Sequence, residues 1–509
     1  MQGRKVFSDE KLLVFSLSAH VPAHNFYRQL QQRLNLNFLY ELTQPYYGRC
    51  GQQSIDPVVF FKLCLIGYLE NITSDRKLIE HCSMRLDLLY FLGYQIDESL
   101  PWHSTVSRTR QLYPETLFEY LFEQVFSLCV EKGMVAGHTQ AIDSAPVQAN
   151  ASMDSLLLKQ PADESLKMHL NLVNINNSQT SNKQDQNSLA KPAQFISAPD
   201  HQLRKLEKHQ DNLKEGSGAL GAKHEKARLV SNKTHFSPTD PDARISVKPG
   251  KARRLNYHCS MAVDTGQGVI THIQADFADG RDSQYLPRLV MQLQDRFREN
   301  HLLIQDLLAD SGYSNGSNYA FLERRGITGW IPVFGMYKPT VENFPYNKEL
   351  DQYTCPMGKP LPFKGFDHTQ DGRLLKNYWA APRDCKACAL KSTCAPNTQC
   401  RKITRTAYDP EYLRAFARQQ SQKGQRMRRV RQSTIEPVFG SLIHYYGLRK
   451  ISVRGKAGAS KVMLMAATAF NLKKYMRFKP VEVISQTIAL QKENTLSYQL
   501  TAFNKLFSY

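Results

Sequence analysis

The chain has 509 residues and a formal net charge of +20, from 66 Lys and Arg against 46 Asp and Glu. That length holds roughly two to four domains. That charge fits a polyanionic partner, nucleic acid foremost, or a basic solubilising surface. Ten cysteines, five of them between Cys355 and Cys400, are clustered and not spread as a disulfide framework. The longest apolar run, Val462 to Phe470, is flanked by lysines and too short to span a membrane. No apolar stretch follows the charged first residues, so no signal peptide is expected, and a reducing, cytoplasmic setting without membrane contact follows.

Residues 1–130 read as helical. Phe26, Leu30 and Leu34 recur at near-helical spacing, and Pro45 with Gly48 and Gly51 breaks the pattern. Ser54 and Pro57 fit a helix start, with Val58, Phe61, Leu65 and Tyr68 as its apolar face. Arg76 and Lys77 follow, and Ser104 or Thr105 fits the cap of a short helix bearing Arg108 and Arg110. Such short basic helices fit a DNA-binding module as well as a plain helical domain with solvated arginines. Leu117 to Val130 is rich in Leu and Phe and predicts a helix packed on more than one side.

Residues 131–153 predict a strand, Thr139 to Ile142, running into Asp143. A carboxylate in an apolar strand is costly to bury without a partner or a metal. Residues 154–250 turn polar and basic, with few hydrophobics, and read as a flexible or weakly structured insertion. Order resumes in residues 251–340. Tyr257, Cys259, Met261 and Val263 alternate, Asp264 to Gly268 turns the chain, and Val269, Thr271, Ile273 and Ala275 alternate again, a hairpin signature. Asp282 and Ser283 precede a helix with Leu286, Leu289, Val290 and Leu293. Then Ile304 to Ala309 predicts a strand ending at Asp310. Ser314 or Asn315 fits the cap of the helix that follows, Gly326 closes that helix, and Trp330 to Val333 predicts another strand. A carboxylate at the carboxyl end of a strand lies where open α/β sheets collect ligands, although a cap or turn residue is the plainer reading of Asp310 alone.

In residues 341–402 both periods fade, and Cys355, Cys385, Cys388, Cys394 and Cys400 appear. The Cys385-x-x-Cys388 pair has metal-ligand spacing, so a structural zinc site, free thiols and a redox pair are all open. Residues 403–480 predict helices. Arg426, Arg428, Arg429 and Arg431 precede Glu436, Pro437 predicts a kink, and Ala459 to Met476 is a second helix. Residues 481–509 read as a tail without chemistry.

Three acids thus stand out by context: Asp143, Asp310 and Glu436. Carboxylates brought together need a cation, and Mg²⁺ or Mn²⁺ takes oxygen ligands and binds phosphates. Arginines beside them suit a phosphate backbone.

On these motifs the chain resembles the DDE transposases of bacterial insertion sequences, from the helical block at Ser54 to the helix ending near Met476. The first acid of that family matches Asp143 in AIDSAPVQANAS, the second Asp310 in ADSGYSN, and the third Glu436 in RQSTIEPVFGSLIHYYGLRKISVRG. SIDPVVFFKLCLIGYL and PWHSTVSRTR resemble the helical domain that many members carry before the catalytic core, and a cysteine-bearing interruption before the third acid marks one subgroup. The resemblance implies a ribonuclease-H-like mixed α/β sheet with flanking helices behind an all-α domain, and two Mg²⁺ or Mn²⁺ ions held by Asp143, Asp310 and Glu436. It implies cleavage at terminal inverted repeats and strand transfer into target DNA by a homodimer or larger assembly, nucleoid-associated when bound to DNA. DNA contacts are expected from Arg76, Lys77, Arg108, Arg110, Arg426, Arg428, Arg429, Arg431, His444, Arg449 and Lys450. Related elements carry Tyr-x2-Arg-x3-Glu-x6-Lys around the third acid; here those Tyr, Arg and Lys positions hold Arg429, Gln432 and Ile443. A ribonuclease-H-like nuclease without strand transfer and an inactive DNA-binding remnant are the alternatives.

Overall fold

The computed structural model describes residues 15–48, 54–161, 197–215, 230–246, 253–335, 337–369 and 373–479. Most of the polar insertion and the tail beyond Lys479 therefore lie outside the described residues.

The amino-terminal region is helical, as its periodicity implies. Helix α1, Pro57–Leu69, starts on Asp56 and not on Ser54: one Asp56 carboxylate oxygen accepts the amides of Val58 and Val59 at 2.7 and 3.0 Å, and Pro57 supplies the fixed first turn. Helices α2, Asp75–Ser83, and α3, His103–Leu112, are joined by Arg110, whose guanidinium donates to both carboxylate oxygens of Asp75 at 2.8 and 2.7 Å. Ser104 and Thr105 lie inside α3, which begins after Trp102. Helix α4, Glu115–Glu131, buries Leu117, Phe118, Leu121, Phe122, Val125 and Phe126. These helices do not enclose a core of their own. Their apolar residues belong to one continuous cluster with those of the main sheet and of the last helix.

Among the described residues six strands form that sheet. They are β1 Thr139–Gln148, β2 Arg244–Ser246, β3 Arg254–Asp264, β4 Ile270–Phe277, β5 Asp306–Leu308 and β6 Thr328–Trp330. β1 pairs antiparallel with β3, and β3 antiparallel with β4, the expected hairpin. On its other edge β1 pairs parallel with β5, and β5 parallel with β6. The spatial order is β4-β3-β1-β5-β6, with β2 beside the start of β3. The buried carboxylate of Asp264 pins the hairpin turn by accepting from the amides of Gly137 and Gly266, both at 2.8 Å, and from the Gln140 side chain at 2.8 Å.

Helix α5, Asp282–Glu299, follows the hairpin, and α6, Gly316–Arg324, links β5 to β6 with Asn315 as its cap. Helices α7, Asp409–Gln420, and α8, Gln422–Tyr445, break at Ser421, and α8 runs on through Pro437. Helix α9, Lys456–Arg477, is buried on all sides from Ala459 to Leu472, packed between α4, α1 and β4.

Two regions depart from the sequence reading. Part of the insertion is structural: β2 joins the main sheet, and a helix spans Asp200–Glu215. Asp240, fully buried, accepts from the Tyr257 hydroxyl at 2.7 Å and from the Gly455 amide at 3.0 Å, while Asp242 accepts from the Lys456 amide at 2.9 Å. Two carboxylates thus meet the positive end of α9. The stretch where both periods faded is a five-stranded antiparallel sheet in the order β7-β8-β9-β10-β11: Tyr346–Asn347, Gln352–Thr354, Pro360–His368, Leu374–Trp379 and Lys402–Thr406. A separate small core, built on Phe344, Tyr353, Leu361, Tyr378 and Ile403, holds it.

Asn471 fastens α9 to the hairpin. It is fully buried, accepts from the Ile270 amide at 2.9 Å and donates to the Ile270 carbonyl at 2.8 Å. Asn471→Ala leaves two buried backbone groups without partners, so urea unfolding is expected to show a loss of about 2–4 kcal/mol. A loss under about 1 kcal/mol would mean that the clamp contributes little.

Candidate active site

Strand register brings the first two acids together. Ala141 of β1 lies opposite Leu308 of β5 in the parallel pair. Asp143 and Asp310 each stand two residues beyond that level, on the same side by the period of two and on strands roughly 4.8 Å apart. Asp143 is inside β1, which continues to Gln148; Asp310 follows the last residue of β5 and caps the turn Ser311–Tyr313, accepting the Gly312 amide at 2.9 Å. The plain capping role is thus real and coexists with the sheet-edge position.

Burial raises the Asp143 carboxyl above its ordinary range, and the nearby Asp310 charge raises it further; the Ser144 amide, at 2.8 Å, and Arg431 act against this. Arg431 of α8 is 9% exposed and donates to Asp143 Oδ2 at 3.0 Å. Its other terminal nitrogen lies 3.6 Å from Glu436 Oε1. Glu436, half exposed on α8, is therefore joined to Asp143 through an arginine.

A fourth carboxylate borders the group. Asp282 Oδ1, at the start of α5, accepts from the Ser144 hydroxyl at 2.8 Å and lies 3.1 Å from His258 Nε2. Gly312 permits this approach, since a Cβ there would stand 2.7 Å from Asp282 Oδ2 and 3.0 Å from Asp310 Oδ1. Tyr313 is fully buried, and burial together with the charges of Asp282, Asp143 and Asp310 holds its phenol well above the usual value. The sequence reading took Asp282 only as a helix start, and its distance in sequence from the other acids gives no signal.

Beside Ala309, over Trp330 and Pro332, opens a cleft of 530 Å³ whose walls carry Arg418, Arg428, Arg429 and Arg431. Arg418 also lies 3.6 Å from Glu323. Gln432, at the position where related elements have Arg, lines the same cleft with Arg429. Ile443 and the exposed His444 lie about two turns beyond Glu436 on α8, where Asn71 donates to the His444 carbonyl at 3.1 Å.

The remaining expected DNA contacts divide. Arg76, Lys77, Arg108, Arg426, Arg449 and Lys450 are exposed. Arg110 is committed to Asp75, and Arg431 to two acids, so neither is offered outward like the others. The cysteines are free thiols: Cys400 is buried in the small core, and Cys355, Cys385 and Cys394 pack against it. Among the described residues no three His, Cys, Asp or Glu side chains converge to hold a metal as they stand, which covers these cysteines as well as the acids. The zinc reading is therefore without an assembled ligand set. No helix among the described residues is long and apolar enough to cross a membrane.

Two stretches match models of known families. Residues 15–112 match the model described as Transposase domain (DUF772), and residues 354–476 match the one described as Transposase DDE domain. No curated protein matches the chain. The first match covers helices α1 to α3 and the second contains Glu436; Asp143 and Asp310 lie outside both. The two matches support an insertion-sequence transposase of the DDE family. Enzymes of this family act on DNA and use divalent metal ions.

Burial, and with it the Asp310 charge, raises the folded-state pKa of Asp143, so stability is lost as the pH rises from the ordinary carboxyl range through that raised pKa. Asp310→Asn removes the charge and keeps an acceptor for Gly312. Thermal melts at pH 7 are expected to place this variant level with the wild type or up to about 3 °C higher. A fall of more than about 5 °C would make Asp310 chiefly a structural cap.

Proposed function

We propose that Asp143, Asp310 and Glu436 form the catalytic acid set of this transposase, on a ribonuclease-H-like core. The strand order β4-β3-β1-β5-β6, an antiparallel trio continued by two parallel strands, supports that fold reading. The observation that carries the site is the shared level of Asp143 and Asp310 at neighbouring strands, beside an arginine-walled cleft.

The donors suit Mg²⁺ or Mn²⁺. A small hard cation needs only one or two carboxylates, with water and substrate phosphates completing its shell. Two negative charges on adjacent strands, one raised by burial and by the other, are also the electrostatic situation that a divalent ion relieves. Asp143 and Asp310 would hold one ion and Glu436 would complete the set for a second. Bound there, such ions supply a nucleophile at neutral pH and neutralise charge on the leaving oxygen.

The protein's own part is placement. Arg428 and Arg429 anchor the DNA backbone in the cleft, and the Trp330 and Pro332 wall keeps the phosphodiester beside Asp310. In the first step water adds to phosphorus, the bond to the 3'-oxygen breaks, and that oxygen takes a proton. In the second the freed 3'-hydroxyl attacks a target phosphodiester, losing its proton as the new bond forms and the old one breaks. The first step is a hydrolysis, and the second, a transesterification, makes one phosphodiester as it breaks another, so no nucleotide cofactor is consumed. The substrates are duplexes with terminal inverted repeats and target DNA. The working form is a homodimer or larger assembly in the bacterial cytoplasm, at the nucleoid when bound.

Labelled terminal-repeat DNA incubated with Mg²⁺ is expected to be nicked by the intact protein. Asp143→Asn, Asp310→Asn and Glu436→Gln should each lower cleavage by at least about 10³-fold while retaining DNA binding. Cleavage by Asp310→Asn at the wild-type rate would remove that residue from the site. Cleavage without joining of the 3' end would favour a nuclease.

The cleft arginines should act on affinity. Arg428→Gln and Arg429→Gln are each expected to lower the slope of log K against log salt by about one. Unchanged slopes in both would move the DNA path elsewhere.

A further inference from the structure

Most cations beside the candidate site point into the cleft, but Arg431 points at the acids. It is the most buried of the α8 arginines, at 9% exposure, whereas Arg426, Arg428 and Arg429 are exposed. One terminal nitrogen is 3.0 Å from Asp143 Oδ2 and the other 3.6 Å from Glu436 Oε1. The guanidinium therefore lies between the first and third acids, where a shared cation would draw them together. The same side chain forms part of the cleft wall, so space for it lies next to where it now sits.

A planar guanidinium carries one charge and donates hydrogen bonds; a divalent ion carries two and takes lone pairs directly. Both satisfy the same carboxylates, and they repel each other. Occupation by both at these distances is disfavoured by Coulomb repulsion, which the half-buried setting weakens less than bulk water does.

We propose that Arg431 is the resident cation of this site, and that a divalent ion gains Glu436 only by displacing it. Arg431 is then a positioning residue. It keeps α8 and the third acid turned toward Asp143 and limits how tightly the protein holds metal before DNA enters. Its exchange partner on leaving is the cleft, where a DNA phosphate offers the guanidinium another anion. This inference rests on the acid-site reading above.

The test is Mn²⁺ binding to the full chain without DNA, followed by the loss of the free-ion paramagnetic resonance signal at about 0.3 M salt, where exposed charges are screened. Arg431→Gln is expected to bind Mn²⁺ about tenfold more tightly than the wild type. Arg428→Gln, which removes the same charge from an exposed position one turn away, should change affinity by less than about twofold. Equal or weaker binding by Arg431→Gln overturns the inference. Should that variant lack a cooperative melt, Arg431→Lys replaces it: one ammonium cannot span both acids, so a gain of about threefold is expected, and no gain overturns the inference. Asp143→Asn separates the two levels. If it abolishes Mn²⁺ binding while the Arg431 variants show no gain, only the role of Arg431 fails. If it binds Mn²⁺ as the wild type does, the acid site fails.

Discussion

A charged carboxylate inside the central strand is the constraint on which the site depends. Asp143 sits in β1, the strand that joins the antiparallel and parallel halves of the sheet. Burial there opposes ionisation, and Asp310 on the next strand opposes it further. The Ser144 amide and Arg431 act in the other direction. Because Arg431 belongs to α8, the ion pair also fixes that helix against the middle of β1. The face of α8 that buries Ile435, Val438 and Leu442 against the core then determines where Glu436 stands. Charge compensation at one strand residue and apolar packing of one helix thus set the same geometry.

The stretch between the second and third acids has a comparable dual role. Its five-stranded sheet is held by aromatic packing, with Tyr353 and Tyr378 rings 4.9 Å apart, and by Asp351 accepting from the Tyr346 and Tyr378 hydroxyls at 2.7 Å. It hands the chain to α7 through Arg405, which donates to Asp409 at 2.8 Å, while Tyr337 donates to the same carboxylate at 2.9 Å. The start of α7 is therefore anchored before α8 begins. Cys355, Cys385, Cys394 and Cys400 contribute to this small core as packed thiols.

Much of this was legible in the chain, for identifiable reasons. The β3–β4 hairpin announced itself through strict alternation because its two faces meet different surroundings. Asp143 stood out inside an apolar strand and Asp310 at the end of one. What was hidden depended on partners distant in sequence. Asp282 reaches the hydroxyl of Ser144, next to Asp143, across 138 residues of chain, and Arg110 lost its apparent outward role to Asp75. The second sheet escaped notice because few of its strand residues are fully buried, so no core-facing period marks them. Asp240 and β2 were lost in a polar tract because their apolar and charged partners come from β3 and α9. The amino-terminal helices were recognised as helices, but their continuity with the sheet core shows only when α9 is seen between them.

The central claim is that Asp143 and Asp310, placed level by the register of β1 and β5, share one divalent cation. Diffraction from crystals grown with Mn²⁺, recorded where manganese scatters anomalously, measures this directly. The account predicts an anomalous peak between the two carboxylates, with at least one oxygen of each at about 2.0–2.6 Å from the ion. A peak bound elsewhere, with the two acids holding only protein partners, would contradict it.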